Sequence, residues 1–260
     1  MRFVRSRSRG IRSKFISAVA LTVLFVSLVP CRAQRKMEIT FDGPPTQPPG
    51  TTAPEQDYYE SGMWFRGLNS GFGRVGPATP GYPDNGTAHL KAAPGELLVF
   101  SFTNGYLFNL VTVDLAEYST VVSGPVTVQF VGYRPNGTTV TNQFTTDGII
   151  DGTGPLEDFQ TAGFSEFTEL SRVEIPTSGW SLDRLIVGVP LQIGSFGLTN
   201  GNVALSFYSF SGLQYSAEYS TNLSEWFDLP GSTIIATGGD AQIVDTNGIG
   251  QFQKFYRLKQ

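Results

Sequence analysis

The sequence predicts an all-β protein in which an antiparallel, jelly-roll-like β-sandwich is followed by a second, smaller β-sandwich. Three observations favour strands. No window of a dozen residues has the 3.6-residue period of a helix. Short apolar runs alternate with polar residues at a period of two. Turn residues separate these runs throughout the 260 residues, which include 30 Gly and 16 Pro.

The first 33 residues have the three parts of a secretory signal peptide. A basic segment with five Arg and one Lys precedes an apolar run from Phe15 to Pro30, and Cys31-Arg32-Ala33 follows. The run is shorter than the ~20 residues of a membrane span. We therefore expect cleavage after Ala33 and a secreted, extracellular protein. An uncleaved anchor and lipidation of Cys31 are the alternatives.

Removal of residues 1–33 makes the chain strongly acidic. Seven of the 18 basic residues and none of the 22 acidic ones lie in this segment, so 11 basic and 22 acidic residues remain. Such a surface disfavours nucleic acid and anionic membranes as partners. Cys31 is the only cysteine of the sequence, so the predicted mature chain has no disulfide and depends on core packing.

Residues 34–192 are predicted to form the larger sandwich. The stretch 97–118 is its expected centre, read as two apolar strands joined at the Asn104-Gly105 turn. On the second of these strands we expect one buried and one wet face. The other predicted strands are 37–41, 58–65, 88–92, 126–133, 138–144, 170–175 and 180–189. A proline-rich loop, 42–54, and an acidic, glycine-rich loop after Phe144 connect them.

Residues 193–202 are predicted to be a linker, and residues 203–260 to be the small sandwich. Its strand candidates are 203–209, 213–219, a segment around Trp226, 233–236, 241–244 and 252–258. Their number and spacing are typical of fibronectin III or immunoglobulin-like modules. A domain this small is marginally stable alone, so we expect it to dock against the larger one.

Two segments carry a resemblance to known proteins. The opening "ITFDG" and the later "WSLDRL" resemble secreted bacterial β-sandwich proteins related to the PEP-CTERM group, whose domains look like carbohydrate-binding-module jelly rolls. The C-terminal "LQYSAEYSTNLSEW" and "FYRL" resemble a small β-module of secreted proteins from Verrucomicrobia. The chain departs from the first group because its end, FYRLKQ, has no sorting motif.

The jelly-roll resemblance implies a structural calcium ion where the first and last strands meet. Asp42 and Asp183 match that pattern, and Glu60 or Asn85 are candidates for additional oxygens. The alternative is that Asp42 caps a turn and Asp183 pairs with a base such as Arg184. The loop with Asp147, Asp151, Glu157 and Asp158 is a second metal candidate, although its spacing is not that of an EF-hand and Asp-Gly is ordinary turn chemistry.

Aromatic side chains are the candidates for ligand binding, because a flat ring with a polar handle suits a sugar. The available residues are Tyr58, Tyr59, Trp64, Tyr82, Tyr106 and Trp180. Most of them are expected to fill the cores. Tyr82 and Tyr106 lie beside turn residues and are the predicted ligand-binding pair. Trp226 is expected to anchor the core of the small domain.

Catalysis finds little support in the sequence. His89 is the only histidine, so no two-histidine metal site exists. A Ser-His-Asp triad would need His89, but the sequence has no G-x-S-x-G motif to accompany it, and His89 is expected to be a partly exposed strand residue. Asp114 and Glu117 are a conceivable glycosidase pair. Residues three apart on a strand face opposite sides, however, so these two should not share a cleft.

The sequence as a whole predicts a secreted, non-catalytic binding module whose partner is an extracellular glycan or polysaccharide. The expectation of a glycan partner rests on the resemblance more than on individual residues. Two alternatives remain open at this stage. One is a structural or adhesive matrix protein without a small ligand, and the other is a weak glycoside hydrolase.

Overall fold

The computed structural model describes residues 35–42, 50–122, 124–150, 158–248 and 253–260. Within these ranges the chain forms 19 strands and no helix, so the all-β prediction is confirmed. None of the described segments is a helix long and apolar enough to cross a membrane. The predicted signal peptide, Cys31, Asp151 and Glu157 lie outside the described residues.

The first twelve strands form two six-stranded antiparallel sheets. They are β1 (Arg35–Ile39), β2 (Asp57–Glu60), β3 (Met63–Gly67), β4 (Gly73–Val75), β5 (His89–Ala92), β6 (Leu98–Phe102), β7 (Asn109–Glu117), β8 (Thr127–Tyr133), β9 (Thr139–Thr145), β10 (Gln160–Gly163), β11 (Arg172–Ile175) and β12 (Trp180–Val189). Sheet I has the order β10-β7-β12-β5-β4, with β1 also pairing with β12. Sheet II has the order β2-β3-β6-β11-β8-β9.

One apolar core lies between the two sheets. It contains stacked and edge-on rings, among them Phe65 and Phe100 with centroids 5.4 Å apart, together with the fully buried Trp180. Alternation along each strand sends every second side chain into this core and its neighbours to the outside. The larger part is therefore the antiparallel β-sandwich that the sequence predicts.

The expected pairing of the two central strands is wrong. β6 lies in sheet II and β7 lies in sheet I, so the segment containing Asn104-Gly105 crosses between sheets. Asn-Gly does make a local turn there, with Gly105 at φ 75° and its N–H donating to the carbonyl of Phe102. The apolar runs predict two buried strands correctly, but they carry no information on which sheet each one joins.

Three other local features differ from the sequence prediction. The single strand expected at 58–65 is a hairpin of β2 and β3, because Ser61 and Gly62 both have positive φ, 50° and 79°, as a tight two-residue turn requires. The short strands β4 and β10 lie outside the strands that the sequence predicts. Both are too short to show an alternating pattern, and both complete sheet I.

The remaining strands form the small sandwich. They are β13 (Ser195–Thr199), β14 (Asn202–Ser209), β15 (Gln214–Ser220), β16 (Phe227–Asp228), β17 (Ile234–Ile235), β18 (Gly239–Asp245) and β19 (Phe255–Lys259). One sheet is β13-β14-β18, and the other is β16-β15-β17 with β19 also on β15. A second core includes Leu205, Phe207 and Tyr215. The predicted linker 193–202 contains β13, because a turn at Asn200-Gly201 folds this segment back onto β14.

Candidate functional site

The outer face of sheet I carries a row of polar side chains. Asp183 on β12 lies directly opposite Asp114 on β7, and continuing the register of β5 places His89 on the other side of Asp183. Asp183 and His89 are fully buried, and Asp114 is 3% exposed. The expectation of a wet face on β7 is therefore wrong. So is the expectation that His89 is partly exposed.

Residues 79–88 and Phe159 cover this face. Tyr82 accepts a hydrogen bond from Lys91 Nζ at 3.0 Å, and its ring lies edge-on to Tyr118. Phe159 packs edge-on against His89 with ring centroids 5.2 Å apart. Tyr82 is half-buried among these contacts. The predicted ligand-binding residue Tyr82 thus lies in the cover of sheet I.

Burial shifts the pKa of two residues in the row. Burial lowers the pKa of His89 to about 3, with Asp84 opposing this shift and Lys91 adding to it. Burial raises the pKa of Asp183 to about 6, against hydrogen bonds from Asn85 and Thr87 that favour the ionised form. His89 is consequently neutral at pH 7. Both of its ring nitrogens lack a hydrogen-bond partner among the described residues.

The three predicted metal ligands do not form one cluster. Asp42 lies close enough to Asp183 to raise its pKa, and Asp42 Oδ1 accepts a hydrogen bond from the Ala88 N–H at 3.0 Å. Both carboxylate oxygens of Glu60 accept backbone N–H groups, from Thr40 at 3.0 Å and Phe41 at 2.9 Å. In the described ranges no three His, Cys, Asp or Glu side chains are grouped as a metal site.

The second metal candidate is only partly described. Asp147 is exposed, and its Oδ1 accepts the Ile149 N–H at 2.9 Å, which is turn chemistry. Asp158 is buried and accepts the Asp84 N–H at 3.0 Å. Neither contact assembles a set of oxygens around a cation.

The conceivable glycosidase pair is separated by the sheet, as the sequence predicts. Asp114 pairs with Asp183 on the outer face, whereas Glu117 pairs with Trp180, whose side chain is in the core. Glu117 Oε1 accepts the Gly148 N–H at 2.6 Å. These two carboxylates do not face a common cleft.

The prediction that Tyr106 is exposed for ligand binding is wrong. Tyr106 is 5% exposed, and its ring lies against the backbone of Gly194, where an added Cβ would be 1.8 Å from Cε1. Burial, with the nearby Asp240 carboxylate, raises the pKa of Tyr106 to about 12. The residue after Gly105 is thus an anchor between the two sandwiches, a tertiary contact that a turn pattern cannot reveal.

The other aromatic candidates divide between core and surface. Tyr58 and Trp180 are in the large core, as expected. Trp226 is not a core residue of the small domain, because it is half-buried under the guanidinium of Arg257 at 4.3 Å. Tyr59 and Trp64 were expected to be core residues and are not. They lie on the outer face of sheet II.

We define the aromatic face as the outer surface of sheet II that bears Asp57, Tyr59, Trp64, Arg66, Tyr133, Arg172 and Glu174. Tyr59 on β2 lies directly opposite Trp64 on β3, and its side chain is 64% exposed. The indole Nε1–H of Trp64 donates to Asp57 Oδ1 at 2.7 Å, and Arg66 lies 5.5 Å from the ring. These contacts hold the indole in place on the open surface.

A second group continues the aromatic face across β11 and β8. The guanidinium of Arg172 stacks on the Tyr133 ring at 3.7 Å and pairs with Glu174 Oε1 at 3.0 Å. Tyr133 donates its hydroxyl to Glu174 Oε2 at 2.8 Å, and this bond raises the pKa of Tyr133. Trp64 and Tyr133 are three strands apart, which is about 14 Å at the usual strand spacing.

Comparisons with known proteins give slight likenesses only. No family model matches the chain, and no curated protein matches it. A family 32 carbohydrate-binding module from C. perfringens has a TM-score of 0.27 and 13% identity, covering 58% of this chain and 93% of that one. Discoidin II from Dictyostelium discoideum has a TM-score of 0.27 and 11% identity, with 58% and 74% coverage.

A tandem pair of family 22 carbohydrate-binding modules from Paenibacillus barcinonensis has a TM-score of 0.33 and 10% identity, covering 82% of this chain and 84% of that one. All of these TM-scores are low. These likenesses therefore carry no argument about function.

Proposed function

We propose that this protein is a non-catalytic glycan-binding protein of the cell exterior, and that the aromatic face binds the sugar. One observation carries the proposal. Tyr59 and Trp64 form a cross-strand pair of rings on the outer face of sheet II, with Tyr59 exposed and Trp64 half-buried. An apolar patch that stays accessible on a folded surface and is rimmed by polar side chains often marks an interaction site. A pyranose presents an apolar face of C–H groups that can stack on such rings.

The polar groups of the aromatic face suit a neutral, hydroxyl-rich ligand. Two acidic side chains, Asp57 and Glu174, alternate with two basic ones, Arg66 and Arg172, so the face has no net charge. Carboxylates accept and guanidinium groups donate, and sugar hydroxyls do both. In a chain with an excess of acidic residues, this balance favours a neutral glycan over a polyanion.

A binding panel tests the proposal. The purified protein is applied to arrayed neutral oligosaccharides (gluco-, xylo- and manno-hexaoses, galactosides) and to polygalacturonate. We expect binding to at least one neutral glycan and its loss in a Tyr59→Ala/Trp64→Ala double variant. Tyr82→Ala is the matched control, since Tyr82 is a half-buried ring on the opposite side of the sandwich. Equal losses in both variants, or no binding to any glycan, would refute the proposal.

We also propose a structural calcium ion held by Asp42 and Asp183. The supporting observations are that β1 pairs with β12 and that the two carboxylates are close enough to interact. Asn85 Nδ2 and Thr87 Oγ1 donate hydrogen bonds to Asp183 Oδ2 at 2.5 and 2.8 Å and hold this carboxylate in place beside Asp42. The carboxylate oxygens of Asp42 and Asp183 are hard donors of the kind that calcium prefers. The ion would offset the repulsion between two carboxylates, one of them fully buried.

A further inference from the structure

One tyrosine of the small sandwich reaches into the large one. Tyr208, on β14, has its hydroxyl 3.0 Å from the carbonyl oxygen of Ser61 and 3.2 Å from Met37 Sδ. Its ring lies 5.1 Å from the ring of Phe102 and 6.1 Å from that of Tyr106. Tyr208 therefore packs against the core of the first domain although it belongs to the second.

The Ser61 carbonyl belongs to the turn between β2 and β3. These two strands form the hairpin that carries Tyr59 and Trp64. The same turn is in contact with the Tyr208 ring, because a Cβ added at Gly62 would be 3.3 Å from Cε2. The hairpin is also tied to β6 through the Thr103 N–H, which donates to the Gly62 carbonyl at 3.0 Å. Through Tyr208, the second domain thus contacts this turn.

The hairpin needs such support because β2 is an edge strand of sheet II. It pairs with β3 on one side and with no other described strand. Edge strands open more readily than central ones, since they have hydrogen bonds and packing on one side only. Tyr59, the most exposed ring of the aromatic face, sits on this strand.

Two further contacts join the small domain to the large one. Asn104 Nδ2 donates to Asp240 Oδ1 at 2.6 Å across the two domains. The chain that connects them passes over the Tyr106 ring at Gly194, with no room for a side chain. The domains therefore meet at several points around Tyr208.

We infer that the small domain is a clamp on the β2–β3 hairpin, and that Tyr208 is a positioning residue for the aromatic face. The inference rests on the proposed function for its biological use, since a pre-ordered hairpin presents Tyr59 and Trp64 to a glycan without an ordering cost at binding. The structural part, that the hairpin is more ordered with Tyr208 than without it, holds whatever the ligand is.

Hydrogen exchange in the full chain tests the clamp without any glycan. Tyr208→Phe removes the hydroxyl contact with the Ser61 carbonyl and keeps the ring. We expect backbone amides between Tyr59 and Trp64 to exchange about fivefold faster, because a net hydrogen-bond contribution is about 1 kcal/mol. Tyr208→Leu, which also loses the ring contacts, should increase exchange further.

Tyr256→Phe is the matched control, because the Tyr256 hydroxyl donates to Asp245 at 2.8 Å inside the small domain. It removes one buried tyrosine hydroxyl contact without touching the hairpin. Unchanged hairpin exchange in Tyr208→Phe, or the same increase in Tyr256→Phe, would overturn the clamp.

The glycan titration then separates the two proposals. With a neutral hexaose that the wild type binds, Tyr208→Phe should weaken binding severalfold and Tyr256→Phe should not. Unchanged affinity in Tyr208→Phe would overturn the positioning role. A wild type that binds no glycan, together with faster hairpin exchange in Tyr208→Phe, would refute the proposed function and leave the clamp supported.

Discussion

Each sheet of the large sandwich has one face that points away from the core, and the two outer faces differ in how far they are buried. Sheet I presents Asp183, Asp114 and His89, which residues 79–88 and Phe159 cover and bury. Sheet II presents an exposed Tyr59 and a half-buried Trp64. Polar groups are therefore buried on one side, and aromatic rings reach the solvent on the other. This reversal of the usual distribution is what indicates a binding surface on sheet II.

The buried polar residues on the covered face of sheet I should make the stability of the protein sensitive to acid. His89 has a pKa of about 3 in the folded protein and 6.5 as its ordinary value, so the unfolded state binds more protons between those limits. The contribution of a neutral His89 to the free energy of unfolding is then fully present above pH 6.5. It is lost as the pH falls toward 3, by on the order of 4 kcal/mol. His89→Gln should flatten this part of a denaturant-unfolding series from pH 3 to 8. If the pH dependence of stability is unchanged in that variant, the pKa of His89 in the folded protein is close to its ordinary value.

Asp183 should give the opposite slope in a narrower window. Its folded pKa of about 6 is above the ordinary 3.8, so its contribution is present below pH 3.8 and is lost as the pH rises through 6. The loss is on the order of 3 kcal/mol. Asp183→Asn should therefore stabilise the chelator-treated protein at pH 7, while Asp147→Asn, at an exposed carboxylate, should not. The two slopes oppose each other between pH 3.8 and 6, so single variants are needed to separate them.

Calcium should raise the melting temperature if Asp42 and Asp183 hold it. A ligand that binds only the folded state adds about 2.7 kcal/mol at a concentration one hundred times its dissociation constant. The melting temperature measured in excess calcium should thus exceed that in EDTA, and Asp42→Ala should remove most of the difference. Equal melting temperatures in calcium and EDTA would contradict the calcium proposal and leave the aromatic face unaffected.

The open face should tolerate substitution but lose binding. Trp64→Ala removes a half-buried ring from the surface, so we expect a stability change within about 1 kcal/mol. Glycan affinity, measured by calorimetric titration, should fall roughly thirtyfold, which corresponds to about 2 kcal/mol. A large loss of stability together with a small loss of affinity would place Trp64 among the structural residues.

The smallest effect is expected in the cover of sheet I. Tyr82→Phe removes the hydroxyl that accepts the Lys91 hydrogen bond, at a stability cost of about 1 kcal/mol. Glycan affinity should not change. A clear loss of affinity in Tyr82→Phe would move the binding surface to sheet I and reverse the comparison between the two faces.

Alternation in the sequence predicts strands and cores well but cannot predict what covers a face. Tyr58 and Tyr59 are adjacent, and so are Trp64 and Phe65. In each pair one ring is in the core and the other is outside, as strand geometry requires. This alternation is visible in the sequence, and it places Tyr59 and Trp64 outside the core.

Other features depend on contacts between distant segments, and the sequence holds no local trace of them. Asp114 looks like a wet-face residue until residues 79–88 and Phe159 come over sheet I. Tyr106 looks like an exposed turn residue until Gly194 and Tyr208 pack against it. The assignment of β6 and β7 to different sheets is also a long-range decision. A pattern read along the chain cannot contain these choices.

The indole N–H signals of the three tryptophans test most directly whether the aromatic face binds the glycan. Trp64 is on the aromatic face, Trp180 is fully buried in the core and Trp226 is on the small domain. In a two-dimensional NMR titration with the best-binding neutral hexaose, the account predicts that the Trp64 signal shifts progressively while those of Trp180 and Trp226 stay in place. A bound glycan that leaves the Trp64 signal unchanged would contradict it.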